Sequence, residues 1–145
     1  MNINAIQTSS ENGLKIILEK TEFGFSAYAP AHSGIYTVGD SYEELKENIE
    51  EVIEYQVDYL KETGKNAEAE FLKNAKVEYF LDVKQFFEQY PILNKSEFAN
   101  YIGMNASMMR KISSGIIPLS DAKARQIQEG LHRLANDLKQ IHFAL

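Results

Sequence analysis

The chain has 145 residues, 44% of them hydrophobic and 25% charged, which excludes a disordered polar chain and leaves room for one ordinary domain or two small ones. It contains no cysteine, so a disulfide framework and thiolate chemistry are excluded. A formal net charge of −6 argues against a surface uniformly coated for nucleic acid.

The first residues, "MNINAIQTSSENG", lack the basic and apolar blocks of a signal peptide. Apolar runs such as "GLKIIL" are far too short to cross a bilayer, so a cytoplasmic protein is expected. "GLKIILEK" and "FGFSAYAP" read as two strands, because Leu14, Ile16 and Leu18 alternate in the first and Phe23, Phe25, Ala27 and Ala29 in the second. The residues between them, Lys20 to Glu22, suit a hairpin, and "GIYTVG" reads as a third strand. Ser41 and Glu44 then stand at capping-box spacing. Leu45, Ile49, Val52, Ile53, Val57 and Leu60 follow at helical spacing, with carboxylates over much of the remaining surface. "NAEAEFLKNA" suggests a short helix and "KVEYFLDV" a fourth strand.

After Asp82 the strand character stops. "VKQFFEQYPIL", "KSEFANYIG", "NASMMRKISSG" and "SDAKARQIQEGLHRLANDLKQI" are all helical patterns. The expected fold class is α+β: a small antiparallel-type sheet with a covering helix over residues 1–82, followed by an all-α domain over 83–145. Charge divides at the same place. Residues 1–82 hold 7 Lys/Arg against 16 Asp/Glu, whereas 83–145 hold 8 against 5. Two modules with different partners are the natural reading.

Within the second module, a sharp turn between two helices needs a residue tolerant of positive φ, and Gly103 supplies it. Ala99 is small enough for a close helix crossing, while Phe98, Ile102, Met104, Met109 and Ile112 are the inward positions. Asn105 is a good N-cap and Gly115 a good stop. Ala106, Ser107, Arg110, Lys111 and Ser114 then face outward, and cations with small polar groups suit phosphates and base edges. Two core helices with solvated cations are the plainer alternative. The stretch "FANYIGMNASMMRKISSG" resembles the Cro-type (XRE-like) helix-turn-helix family over residues 83 to about 130. That resemblance implies duplex DNA contacts from Ser107, Arg110 and Lys111, with help from Lys95, Ser96 and Asn105. Ile127, Leu131, Leu134, Leu138 and Ile141 are spaced as an a/d seam, which serves either the monomer core or a homodimer or higher homo-oligomer.

For the acidic module three uses compete. A metal-dependent nuclease needs converging carboxylates. The candidates Glu19, Asp40, Glu78 and Asp82 show no cluster near a histidine, so no catalytic residue is expected. His32, His132 and His142 lack ligand spacing, and Gly34 and Gly39 form no phosphate cradle, so neither metal nor cofactor is expected. A small-molecule sensor would make the protein a stand-alone transcriptional repressor. The third use is protein binding. "GFSAYAPAHSGIYTVGDSYEELKENIEEVIEY" resembles the HicB family of antitoxins through Gly24–Phe25, Tyr28, Pro30, Gly34, Gly39–Asp40–Ser41 and the acidic helix from Glu44 to Tyr55. The resemblance implies a partial RNase H-like domain without nuclease activity. It also implies sequestration of a HicA-like toxin, a small basic RNA-cleaving protein, and repression of the protein's own operon. The edge around Phe25, Tyr28, His32 and Tyr36 is the expected toxin surface. An acidic helix that merely keeps the domain soluble is the plainer alternative.

Overall fold

The computed structural model describes residues 12–145; most of the stretch read for a leader lies outside them. The protein is α+β and divides into two compact units between Leu81 and Asp82.

The first unit is built on a four-stranded sheet of order β3-β2-β1-β4. Strand β1 (Gly13–Thr21) buries Leu14, Ile16 and Leu18 on one face, as two-residue alternation requires. It pairs antiparallel with β2 (Gly24–Ala29), placing Ile17 opposite Tyr28. Strand β3 (His32–Gly39) pairs antiparallel with β2, placing Tyr28 opposite Tyr36, and the register shifts between Tyr28 and Ala29. Strand β4 (Lys76–Phe80) joins the other side of β1 in parallel. The sheet is therefore mixed, which corrects the expected antiparallel type. Two antiparallel steps leave β3 running with β1. The helical crossover from β3 then lets β4 run in that same direction, the kind of connection a parallel pairing needs.

The crossover is α1 (Tyr42–Glu62) followed by α2 (Asn66–Asn74). Ser41 caps α1, its Oγ accepting from the Glu44 N–H at 3.1 Å. The Glu44 carboxylate reaches back to the Asp40 N–H at 2.9 Å, one residue before the cap. Leu45, Ile49, Val57 and Leu60 of α1 and Leu72 of α2 close over Leu14, Ile16, Leu18 and Ile35 in one core. Burying such a side chain contributes about 1.5–3 kcal/mol, so this face holds the unit together. Ile17 belongs to the opposite sheet face, and it too is buried.

The second unit is helical: α3 (Val83–Gln89), α4 (Lys95–Tyr101), α5 (Ala106–Ser113) and α6 (Asp121–Lys139). Each begins at a side-chain cap. Asp82, Asn94, Asn105 and Ser120 accept from the N–H of Gln85, Glu97, Met108 and Lys123 at 2.7, 3.0, 3.1 and 3.3 Å. Asp82 thus starts α3, which explains why the division falls just before it. Phe87, Phe98, Ala99, Met104, Met109, Ile112 and Ile127 form the core of this unit. The helices α4 and α5 are joined through Gly103, whose φ of 75° is a conformation that side-chain-bearing residues rarely adopt. Gly130 lies within α6, where a β-carbon would collide with Ile102 Cγ2 and come within 2.9 Å of Ile102 Cβ. Its missing side chain lets the end of α4 lie directly against α6.

Candidate functional site

The apolar residues of α5 fix what the helix shows to solvent. Met109 and Ile112 are buried, and Ala106 packs against the same core, correcting its expected outward position. At 100° per residue, Ser107, Arg110, Lys111 and Ser114 share one exposed strip about 100° wide. Ser107 and Ser114 lie along its middle, and the two cations flank them.

The polar contacts within this strip give its members different roles. Arg110 Nη1 donates to Ser96 Oγ at 3.0 Å, which ties the guanidinium to the start of α4 and leaves most of its five donors uncommitted to this bond. Ser114 Oγ donates to the Arg110 carbonyl at 2.8 Å, so its hydroxyl proton is held by its own helix. Asn105 uses its side-chain oxygen as the cap of α5, leaving only its amide NH2 for another partner. Lys95 Nζ lies 5.8 Å from the Phe87 ring centroid, on the far side of Ser96 in sequence from the α4 core residues. Residues 82–145 carry 8 Lys/Arg against 6 Asp/Glu, a mild positive excess around these groups. Arrangements of this kind, a cationic strip with small hydroxyls between, can donate to phosphate oxygens and approach base edges closely.

Several contacts that hold α4 in place were not legible beforehand. Gln126 Nε2 donates to the Ile102 carbonyl at 3.0 Å. Arg133 Nη2 donates to the Tyr101 carbonyl at 3.0 Å, its guanidinium lies 4.7 Å from the Tyr101 ring centroid, and Tyr101 Oη donates to Asp137 Oδ2 at 3.0 Å. The only sequence signal was charge on the polar side of α6, which does not say what it faces.

The proposed seam on α6 splits. Ile127 is buried in the monomer core, and Leu131 and Leu134 pack against it. Leu138 remains 57% exposed. Ile141 is also 57% exposed, but α6 ends at Lys139, so the last seam position is not on the helix.

The four residues expected to face a toxin do not share a surface. Phe25 lies on the helix-covered side, its ring 4.7 Å from that of Tyr42. His32 pairs with Ala29 and stacks on Phe71 of α2 at 6.0 Å. Tyr28 and Tyr36 stand opposite each other on the other sheet face. Tyr28 Oη donates to Glu19 Oε1 at 3.1 Å, and burial, then that bond and the carboxylate charge, push its pKa above 10.0. Of the other carboxylates weighed for catalysis, Glu78 stands opposite Lys15 and Asp82 caps α3. His132 is exposed on α6, and His142 follows its end. Among the described residues no group of three or more His, Cys, Asp or Glu could hold a metal ion, and no helix is long and apolar enough to cross a membrane.

No protein-family model matches this chain, and no curated protein or solved structure matches it.

Proposed function

We propose that the protein is an autoregulatory antitoxin whose helical unit binds operator DNA and whose acidic unit sequesters a small basic RNA-cleaving protein. The observation that carries this reading is the exposed strip of α5. Two cations flank two serines there, on a helix held against α4 through a glycine turn, in the part of the chain with excess positive charge. In this reading α4 and α5 form a helix-turn-helix, with α5 entering the major groove. Ser107, Arg110 and Lys111 make the main contacts, while Lys95, Ser96, Asn105 and Ser114 support them.

The N-terminal unit takes the role of the partial RNase H-like domain, without catalysis. Its helix-covered sheet and its resemblance to HicB in the segment from Gly24 to Tyr55 support that assignment. Residues 12–81 hold 7 Lys against 14 Asp/Glu. A negative unit of this kind is steered toward an RNA-binding cleft and competes with phosphate for it. A homodimer supplies two half-site contacts, which raises the affinity of a module with so small a positive excess.

Arg110→Glu tests the division of labour. Operator affinity, measured by fluorescence anisotropy at about 0.1 M salt, should fall at least about tenfold, the equivalent of 1.4 kcal/mol. Neutralisation of the RNA-cleaving partner should be unchanged. Loss of both activities in a folded variant contradicts two separate binding units.

A further inference from the structure

The sheet face turned away from α1 and α2 is more apolar than a solvated face needs to be. Its register places Tyr36, Tyr28, Ile17 and Phe80 in one row across β3, β2, β1 and β4. With strands about 4.8 Å apart, that row spans about 14 Å. Val38 extends it in the next row, opposite Ser26. Ile17 and Ser26 are buried and Tyr28 and Phe80 half-buried, but on β3 Tyr36 is 59% exposed and Val38 56%, whereas antiparallel strands with one solvated face ordinarily carry polar residues there. Charged groups border the row. Lys15 Nζ lies 4.9 Å from the Phe80 ring centroid, Glu78 stands opposite Lys15, and Glu19 accepts the Tyr28 hydroxyl.

Exposed rings on a sheet invite two kinds of partner, and charge separates them. Single-stranded RNA stacks on such rings only where a positive groove tracks its phosphates. Here Glu19 sits among the rings, and residues 12–81 carry twice as many carboxylates as lysines. A protein with apolar and arginine side chains fits instead. Its apolar groups cover Tyr36, Tyr28 and Val38, and its guanidiniums reach Glu19 and the ring faces, as tyrosine-rich interface centres do. The outer face of α1 is a poorer anchor, because its exposed Tyr55 and Tyr59 are set among Glu51, Glu54, Asp58 and Glu62.

We infer that the exposed β3 side of this sheet face, formed by Tyr36 and Val38 with the half-buried Tyr28 beside them, is the docking surface for a basic, arginine-bearing protein. The inference deepens the antitoxin reading and rests on it for the partner's biological identity. The test uses the full chain, 15N-labelled, and a synthetic heptapeptide alternating arginine with leucine and phenylalanine. Its glutamate counterpart and an oligouridine RNA are titrated in parallel. The arginine peptide should shift the amides of Ser26, Tyr28, Tyr36 and Val38. Its affinity should exceed that of the glutamate peptide at least tenfold and fall at least tenfold in the Tyr36→Ser/Val38→Ser variant, about 1.4 kcal/mol in each case. Shifts confined to α1, no shifts, equal binding of the two peptides, or the same shifts with RNA would each overturn the inference. Toxin neutralisation is then measured with the same variant. Full neutralisation by the double variant overturns this surface while leaving the antitoxin reading intact. Peptide binding here without neutralisation by the native protein keeps the surface and removes that reading.

Discussion

Gly130 and Ile102 show how one residue lets two helices pack closely. A glycine inside a helix ordinarily costs about 1 kcal/mol relative to alanine. Here the space is filled by Ile102, the residue that ends α4. Gly130→Ala should therefore destabilise the helical unit despite its better helix propensity, because overpacking costs about 1–3 kcal/mol. Faster amide exchange across α4 and α6 is the expected readout; slower exchange would mean that Ile102 moves aside freely. Nothing in the local pattern distinguishes this glycine from a tolerated surface one, since its reason lies 28 positions away in the chain. Tyr79 gives a pH-dependent counterpart. Burial first, then the charge of Glu50, holds its phenol above 10.0. The unfolded chain loses that proton first, so the stabilising contribution is complete below about pH 10 and declines as pH rises further. Tyr79→Phe should flatten the alkaline fall in thermal stability of residues 12–81, and an unaltered fall would assign it to other groups.

At the scale of elements, the caps and apolar periods were the readable part. Ser41 and Asn105 sit where capping chemistry wants them, and each accepts the expected N–H three residues on. Such signals are local, requiring only a few residues of context. Asn105→Ala should cost about 1 kcal/mol of stability through the lost cap. On this account it leaves the ranking of operator variants unchanged, because its side-chain oxygen is already occupied; an altered ranking would assign Asn105 to base reading. Direction of pairing was not readable, since the strand pattern of β4 is the same whether it joins β1 parallel or antiparallel. The α6 stripe left two uses open for a related reason. Seven-residue spacing marks an apolar face without saying whether its cover comes from the same chain, and here Ile127, Leu131 and Leu134 are used internally. The toxin-facing set scattered because proximity along β2 and β3 ignores the alternation that sends Phe25 and Tyr28 to opposite faces.

For the whole molecule, charge is the organising quantity. An acidic α+β unit and a mildly basic helical unit lie on one chain, with the division at Leu81 and Asp82. Operator binding should weaken steeply with salt, the logarithm of affinity falling by about 0.9 per phosphate neutralised for each unit in the logarithm of salt concentration. Arg110→Ala should reduce that slope by about one phosphate's share; an unchanged slope would remove Arg110 from the backbone contacts. The central claim is that one chain joins an operator-binding face to a sequestering one. Its most direct test is native affinity purification of the tagged protein from its own host, with mass spectrometry and an RNase assay on whatever accompanies it. The account predicts a small basic chain in near-stoichiometric amount that cleaves RNA once released by denaturation and refolding. Recovery of the protein alone, still bound to DNA, would contradict it.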